Sequence, residues 1–465
     1  MPNNFRIQNV LFVYLTQVSG ATYVTDDIGP RIQRRPLIGL QYLCAVLEQA
    51  GVRTDILDER ISTFEIDDMI NIVSKYDLVG FYCSDPQEEK VKAYCCRIKA
   101  RRDIPVIIGG PTTLKNSSFL NFGADFVVHG EGERTILQVV QYYNGEISKK
   151  DIKGVSYAEN NETIYAEAQP LIEDLDALPF PDRSKHDINL FFDYYLFTFR
   201  KPYVTMLASR GCPYTCTFCS SYKIWGCRYR ARSVDNVLKE IDDIVARYKV
   251  KYVAFQDDVF GLNESWIEEF CKKLMQRPYR IRWMAILHPF SAKKNTEKIL
   301  KLMKQAGCDT LSLGIQSAHP GILKNVNRHP GEPGQVKRLI AVANKLGFVT
   351  YVMYIFGLPG DTRETIKMTR EHSLSCGATV VTYNILYQLK GSDLRQSYRG
   401  EDVCGLTQEE LIQASVAASR KFYLRPMALL KIAKIIIKNP SWLAHVFLNI
   451  GSILARAGLM NPRKC

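Results

Sequence analysis

The stretch Arg210–Ser220, which reads RGCPYTCTFCS, decides how this sequence is interpreted. Its cysteines Cys212, Cys216 and Cys219 have the spacing C-x3-C-x2-C and directly follow a run typical of a β-strand. Iron–sulfur cubanes are usually held by four cysteines, so three ligands would leave one iron open for chemistry. Cys227 could supply a fourth ligand and give a closed electron-transfer cluster. Zinc is a further alternative, although zinc sites favour paired C-x2-C knuckles. The stretch therefore predicts a metal site.

The cysteine stretch lies near the start of a strand–helix series that runs from Tyr203 to about Leu394. Its apolar runs read VTMLAS, YVAFQDD, RWMAIL, TLSLGIQS, TYVMYIFGLPG and TYNILYQL, and polar residues follow several of them. Such a series is typical of a partial (β/α)6 TIM-type barrel with its site at the carboxyl ends of the strands. We assign residues 201–395 to this domain.

Residues 8–135 also alternate strand and helix signals with short loops, which predicts a doubly wound parallel sheet of the Rossmann type over residues 1–150. We expect its glycines to lie at strand ends, where ligands of such sheets bind and where glycine lets the backbone approach a ligand. They are Gly80, Gly109, Gly110, Gly130 and Gly132. Residues 151–200 are expected to form a small hairpin and an extended linker, DLDALPFPDR. The fold class is therefore α/β throughout the first 395 residues.

The C-terminal region, residues 396–465, is expected to be helical and basic. The net charge is +13, and Leu411–Cys465 contributes nine Lys or Arg and no Asp or Glu. Because the rest of the chain is nearly balanced, nucleic acid is an unlikely partner. Basic amphipathic helices with aromatic residues fit peripheral binding to a membrane surface through residues 429–465. Docking of this region onto the barrel fits equally well, and contact with tRNA ranks lower.

Thirteen cysteines occur in a chain whose first residues lack the features of a secretory signal, and we find no uncharged apolar run of about 18 residues. We therefore expect a cytoplasmic protein with free cysteines rather than disulfides, and the basic tail adds the expectation of a peripheral position at the membrane. Most cysteines outside the motif are expected in the core, whereas Cys227 and Cys308 could enter the active site. His288 is expected to be a surface or core histidine.

The cysteine motif resembles that of radical S-adenosylmethionine (radical SAM) enzymes, and the resemblance extends along most of the chain. In order, RRPLIGLQYLCAVLEQAG, IIGGPTT, FVVHGEGERT, DLDALPFPDR, RYRARSVDNVLKEI, FQDD, LGIQS, LKNVNR and FGLPGDT are similar to the subgroup with an N-terminal cobalamin-binding domain. The resemblance implies a 4Fe–4S cluster on the three cysteines. Its open iron would bind S-adenosylmethionine, whose reductive cleavage gives a 5′-deoxyadenosyl radical. An external electron donor of the flavodoxin or ferredoxin type is also implied.

The resemblance also implies roles for individual residues. Phe218 would lie near the adenine, Asp257 and Asp258 near the methionine amino group, Gln316 and Ser317 near the ribose and carboxylate, Arg328 near the carboxylate, and Gly357 and Pro359 in a turn beside the adenine. Gly130, Glu131 and Gly132 would belong to the cobalamin site. One departure concerns the Asp-x-His-x-x-Gly motif of methyltransferase-type cobalamin domains, because Asp58-Glu-Arg60 has no histidine. Cobalamin, if bound, is therefore not expected to take a histidine ligand there.

Together these features predict a radical SAM enzyme that methylates an unactivated carbon through cobalamin. The same architecture could instead form or contract a ring, or couple carbon atoms, without methyl transfer. A redox or binding protein with a fully ligated cluster is the alternative from another class. The tail suggests a hydrophobic or lipid-like substrate.

Overall fold

The structure is a computed structural model and describes residues 6–16, 33–114, 116–193, 201–289, 295–332, 334–399 and 401–438. The last part of the expected basic helical region, residues 439–465, lies outside these ranges. The described parts contain two large sheets, each surrounded by helices, two short two-stranded ladders, and two C-terminal helices.

The first sheet has seven strands. They are β1 (Asn9–Tyr14), β3 (Arg53–Asp58), β4 (Leu78–Tyr82), β5 (Val106–Gly109), β6 (Phe126–Val128), β7 (Val155–Glu159) and β8 (Glu162–Tyr165), in the spatial order β3-β1-β4-β5-β6-β7-β8. Two further strands, β2 (Gln33–Arg34) and β9 (Phe192–Asp193), pair separately. Strands β3 to β6 pair in parallel, whereas β7 and β8 pair antiparallel. The hairpin expected in the linker therefore continues the N-terminal sheet.

Helices cover both faces of this sheet, as expected for a doubly wound fold. They are α1 (Ile38–Gln49), α2 (Ile66–Val73), α3 (Glu88–Lys99) and α4 (Gly132–Tyr143). Leu47 of α1 and Val139 of α4 belong to one buried cluster, while Met69 of α2 and Val91 of α3 belong to another. Because parallel strands are buried on both faces, their side chains are apolar on both sides.

The second sheet has six parallel strands in sequence order. They are β10 (Tyr203–Met206), β13 (Tyr252–Phe255), β14 (Arg282–Leu287), β15 (Cys308–Gln316), β16 (Val349–Phe356) and β17 (Val380–Ile385). A short antiparallel ladder of β11 (Ser209–Arg210) and β12 (Arg230–Ala231) lies beside it. Sequential order and parallel pairing match the predicted series of βα units. Closure into a partial barrel stays a prediction.

Helices alternate with these strands. They are α5 (Ser221–Trp225), α6 (Val234–Tyr248), α7 (Glu264–Met275), α8 (Thr296–Gln305), α9 (Pro320–Asn325), α10 (Gln335–Lys345), α11 (Arg363–Ser375) and α12 (Asp393–Tyr398). The largest core cluster joins Val237 and Ile241 of α6 to Val253 and Phe255 of β13. One face of α6 and every second residue of β13 thus pack into one shared core, which fixes the position of this strand end.

The described part of the C-terminal region, up to residue 438, is helical, as expected. It consists of α13 (Gln408–Tyr423) and α14 (Pro426–Lys438). The Thr407 side chain caps α13, and the Tyr423 hydroxyl donates to the carbonyl oxygen of Val381 in β17 at 2.7 Å. In the described ranges, none of the helices has the length and apolar character needed to cross a bilayer.

Candidate functional site

The cysteine loop directly follows β11, and it lies at the carboxyl ends of the strands of the second sheet. Cys212, Cys216 and Cys219 are free thiols, of which Cys216 is buried and the other two are partly exposed. The Cys219 N–H donates to the carbonyl oxygen of Cys216 at 2.9 Å and closes a turn. Gly211 has φ +86°, and a Cβ there would collide with the carbonyl oxygen of Arg228. Entry into the loop therefore requires glycine.

The segment after α9 holds the cysteine loop from the other side. The Thr217 N–H donates to the carbonyl oxygen of Val326 at 3.1 Å, and the Asn327 side chain donates to the carbonyl oxygen of Thr215 at 3.2 Å. The Leu394 N–H donates to the carbonyl oxygen of Thr217 at 2.9 Å. Sequence reasoning did not assign these roles, although LKNVNR was part of the resemblance. The loop is thus braced at both sides of its central cysteine.

Burial makes the thiols poor anions in the absence of a bound cation. It raises the pKa of Cys212 and of Cys219 to about 11, with Asp258 and the neighbouring thiols adding to the effect. Arg328 donates to the Cys216 sulfur at 3.5 Å. Within the described residues, no group of three or more His, Cys, Asp or Glu side chains already forms a metal cage. Three free thiols on one loop nevertheless fit a cluster, because bound metal replaces thiol protons.

The two aspartates after β13 have different environments. Asp257 is fully buried and accepts hydrogen bonds from the Ala208 N–H at 3.2 Å and from the Ser209 hydroxyl. Burial raises its pKa to about 7. Asp258 is only partly buried; burial raises its pKa, which the Gly211 backbone opposes, and it acts on the thiols of the cysteine loop. Asp258 is therefore the better placed of the two to meet a ligand at the cluster loop.

The end of β15 is strained. Gln316 is a non-glycine residue with φ +69°, and the pairing register of β15 shifts between Gly314 and Gln316. Such strain concentrates at functional sites. Arg328 donates to the carbonyl oxygen of Gly314. The Ser317 hydroxyl instead lies 3.3 Å from the hydroxyl of Thr369 and accepts from the backbone after it, so it serves the fold.

The FGLPG turn after β16 packs against the cysteine loop. Gly357 and the next residue both donate N–H groups to Asp361 Oδ2 at 3.0 Å, and the Asn325 side chain donates to the carbonyl oxygen of Pro359 at 2.8 Å. Phe218 packs against the cluster that contains the leucine of this turn. The structure thus brings together the residues expected beside the adenine. Asp361 and Asn325 were missed, although Asp361 directly follows the turn.

The strand ends of the two sheets face each other. A Cβ on Gly130, after β6, would lie 3.9 Å from the carbonyl oxygen of Ile224 in α5. The Lys390 N–H, after β17, donates to Asp85 at 2.8 Å, and the Lys390 side chain forms an ion pair with Glu88. Loops after β4 and β6 therefore contact loops at the carboxyl edge of the second sheet. A ligand bound at the carboxyl edge of one sheet would therefore lie near the carboxyl edge of the other sheet.

A buried ion cluster, which we call the interdomain cluster, joins these edges. Arg210 binds Glu131 at 3.0 Å and Glu133 at 2.5 Å, and Arg230 binds Glu131 at 3.0 Å. Glu131 also accepts from the Ile172 N–H at 2.7 Å. The Glu131 carboxylate is thus used by Arg210, Arg230 and this N–H, and a contact of Glu131 with cobalamin stays a prediction.

The N-terminal glycines divide into two groups. Gly109 ends β5 and Gly110 directly follows it, as expected, and Gly132 begins α4; their contact with a ligand stays a prediction. Gly110 has φ +116°, and a Cβ there would collide with the backbone after β4. Gly80 is the middle residue of β4, and a Cβ on it would lie 2.8 Å from Phe12. Its placement at a strand end was wrong; it makes room for a core ring.

Arg60 stands where the histidine motif would place its histidine. It forms an ion pair with the buried Asp58 at 2.6 Å and lies 4.3 Å from the centre of the Tyr14 ring. A guanidinium stays protonated and cannot ligate a metal. His129 has one ring nitrogen 2.7 Å from a backbone carbonyl oxygen and the other 3.1 Å from a serine hydroxyl. Both ring nitrogens of His129 thus have partners within the protein, and the lack of a histidine ligand to cobalamin stays a prediction.

Three other residues singled out from the sequence have clear positions. Cys308 begins β15 and is fully buried in the helix-facing core, at the opposite end of the strand from the site. Its expected entry into the active site is therefore wrong. Cys227 is exposed. His288 is buried, and its ring stacks on Tyr214 of the cysteine loop with 4.0 Å between ring centres.

Comparison with known families agrees with this geometry. The family model for the radical SAM superfamily matches residues 206–372, and that for the B12 binding domain matches residues 34–140. The chain is thus a radical SAM protein with a B12-binding domain. The radical SAM domain implies a 4Fe–4S cluster and S-adenosylmethionine, and the B12-binding domain supports cobalamin as a cofactor.

Relatives include both methyltransferases and cyclases. An uncharacterized methyltransferase of Pyrococcus horikoshii is 29% identical over 92% of this chain and 95% of its own length. The anaerobic magnesium-protoporphyrin IX monomethyl ester cyclase of Rubrivivax gelatinosus is 28% identical over 77% of this chain and 64% of its own length. The solved structure of the radical S-adenosylmethionine methyltransferase TsrM from Kitasatospora setae, with cobalamin and a [4Fe-4S] cluster bound, is 18% identical, covers 84% of this chain and 74% of that chain, and has a TM-score of 0.68. The similarity to TsrM shows that the two proteins share a fold.

Proposed function

We propose that this protein is a cobalamin-dependent radical SAM methyltransferase that adds a methyl group to an unactivated carbon of a small-molecule or lipid substrate. The observation that carries the proposal is the apposition of the two strand edges. Gly130 of the B12-binding domain lies beside Ile224, directly after the cysteine loop. Methyl transfer through cobalamin requires that both cofactors reach one substrate carbon, and this arrangement supports it.

The residues of the second sheet have separable roles in this proposal. Cys212, Cys216 and Cys219 hold the cluster, while Arg328 donates to Cys216 and limits the negative charge there. The partly exposed Asp258 binds the amino group of S-adenosylmethionine, because a carboxylate pairs with an ammonium. Gln316 orients the ribose, and Ser317 holds the following turn rather than the ligand.

The apolar side of the S-adenosylmethionine site receives the adenine. Phe218 and the turn of Gly357 and Pro359 lie together, and Asp361 fixes the turn by accepting two N–H groups. In the B12-binding domain, the backbone can approach the corrin closely at four glycines, which are Gly109, Gly110, Gly130 and Gly132. When bound, the reduced cluster supplies the electron that cleaves S-adenosylmethionine, and cobalamin carries the methyl group.

Ring formation is the second candidate, and the similarity to a cyclase over 77% of this chain favours it. It would use the same cofactors to remove hydrogen from a substrate carbon without methyl transfer. Both candidates need a one-electron donor of the flavodoxin or ferredoxin type. We place the reaction in the cytoplasm, because the cysteines of the described ranges are free thiols.

The test uses the anaerobically reconstituted full-length protein with cobalamin, a reductant and S-adenosylmethionine that carries a trideuteromethyl group. Extracts from a deletion strain supply the substrate, and mass spectrometry follows both lipid and polar fractions. Methylation predicts a product in which a trideuteromethyl group replaces hydrogen. Cyclisation predicts 5′-deoxyadenosine together with an unlabelled product that has lost hydrogen. Failure to form either product or 5′-deoxyadenosine, with the cluster retained, would refute both enzyme functions.

Two cysteine variants provide matched controls. Cys216→Ala removes a buried thiol of the motif and should abolish 5′-deoxyadenosine formation. Cys96→Ala removes an exposed thiol on α3 and should leave it unchanged. Equal activity of the two variants would contradict the assignment of the cysteine loop.

A further inference from the structure

The last described helix, α14, is fixed to the protein body on one side. Ala428 is buried, and Ile435 packs against a core cluster beside the second sheet. Arg425 donates to the carbonyl oxygen of Leu374 near the end of α11, and Lys431 donates to the carbonyl oxygen of Gly377 just after α11. The helix is therefore held in a defined orientation, with its other side turned outward.

The outward side of α14 is apolar. Met427 is 63% exposed, Leu430 56% and Ile437 75%. Among the described residues, nine large hydrophobic side chains are more than about a third exposed, and five of them lie between residues 424 and 437. A helix docked on a globular body normally exposes polar residues on its outer side. The exposed apolar residues thus require a partner.

Basic residues surround this apolar side. Lys434 is exposed on α14, and Arg420 and Lys421 are exposed at the end of α13. Arg420, Lys421 and Arg425 also line an open groove of about 750 Å³ along the end of α13 and its connection to α14, next to the exposed Leu424. The sequence has no Asp or Glu after Glu410. The surface of residues 420–437, which we call the tail surface, is therefore apolar and cationic.

We propose that the tail surface binds the face of an anionic lipid bilayer, with the exposed side chains of α14 inserted at the level of the headgroups. An apolar helix side bordered by lysines is the pattern of interfacial helices. A second copy of the chain is a poor occupant, because the tail surface would meet its own positive charge without acidic partners. The inference is independent of the reaction, and it would bring a lipid-like substrate to the enzyme.

Vesicle flotation of the full-length, cluster-loaded protein tests this surface. Vesicles of phosphatidylcholine mixed with phosphatidylglycerol should carry the protein, whereas phosphatidylcholine alone should carry much less. The double variant Leu430→Glu/Ile437→Glu should reduce binding to the mixed vesicles about tenfold or more, since it removes two inserted apolar groups. Met368→Glu makes the same kind of change at an exposed residue of α11 and should bind like the parent.

The charge contribution is tested separately. Lys421→Gln/Lys434→Gln should weaken binding by roughly 25-fold, from about fivefold for each basic residue near an anionic surface. Lys345→Gln, an exposed lysine on α10, is the matched control. Thermal unfolding and iron content should be those of the parent in all variants, because every substituted side chain is exposed. Equal flotation with both vesicle types, or binding that the tail variants leave unchanged, would overturn the proposal. So would a concentration-dependent dimer that Leu430→Glu/Ile437→Glu dissociates without any effect on lipid.

Discussion

The interdomain cluster predicts that one isosteric change will loosen the contact between the two sheets. Glu131→Gln keeps the shape of the side chain and its capacity to accept from the Ile172 N–H. It removes the negative charge that pairs with Arg210 and Arg230. Arg210 retains Glu133, but Arg230 is left with the backbone carbonyl oxygens of Ile172 and Trp225 and no carboxylate.

The expected cost follows from burial. The side chains of Glu131, Arg210 and Arg230 are 2%, 4% and 5% exposed, so water cannot replace the lost carboxylate. Removing one partner of a buried pair typically costs about 3–5 kcal/mol. At roughly 2–4 °C per kcal/mol for a unit of this size, the apparent Tm should fall by about 6 °C or more.

Thermal unfolding followed by far-UV circular dichroism at a fixed scan rate measures this shift. The matched control is Glu173→Gln, which breaks the pair with Arg228 at 2.7 Å, where both side chains are about two thirds exposed. Exposed pairs contribute about 0–1 kcal/mol, so this variant should unfold almost as the parent does. In a double-mutant cycle, Glu131→Gln and Arg230→Gln should cost less together than the sum of the single changes. Equal shifts for Glu131→Gln and Glu173→Gln would refute the reasoning.

Three further predictions concern the cluster loop and the second sheet. Cys219→Ala should lower iron content and abolish the cluster's absorbance, whereas Cys227→Ala should retain both; loss of the cluster in Cys227→Ala would instead support a fully ligated redox centre. Gly211→Ala should destabilise the protein by about 2 kcal/mol or more because it combines a positive φ with a backbone collision, and an unchanged Tm and iron content would contradict this. Burial lowers the pKa of His372 to about 4 in the folded protein. In the unfolded chain this histidine is protonated below about pH 6.5, whereas in the folded protein it stays neutral down to about pH 4. Stability is therefore lost as pH falls from about 6.5 to about 4, by up to about 3 kcal/mol. Urea unfolding of His372→Gln should show a shallower acid dependence than the parent, and identical slopes would exclude this role.

Sequence patterns predicted the two α/β units and the cysteine loop because these depend on local information. Apolar runs mark the parallel strands, and the spacing of Cys212, Cys216 and Cys219 is fixed within one loop. Phe218 and the turn at Gly357 were expected on one ligand and lie together, since both follow strands that end at the same edge. The B12-binding and radical SAM domains were likewise expected from the order of their motifs.

The features that were missed or misplaced share a different cause, because none of them is determined by local sequence. An apolar run does not give the offset of a strand, so Gly80 was placed at the end of β4 although it lies in the middle. Glu131 lies in a glycine-rich loop, yet its carboxylate turns toward Arg210, a residue of the other domain. Cys308 begins β15, and only the strand direction places it at the far end from the site. These facts come from tertiary packing.

The left-handed backbone at Gln316 has a consequence for how far this protein can be stabilised. A glycine at residue 316 would relieve about 1 kcal/mol of backbone strain, so heat resistance could be raised by a single exchange. The same exchange would remove the side chain that we assign to the ribose and loosen the bulge in β15. Selection for thermal stability alone should therefore favour glycine at residue 316, whereas selection for catalytic turnover should favour glutamine.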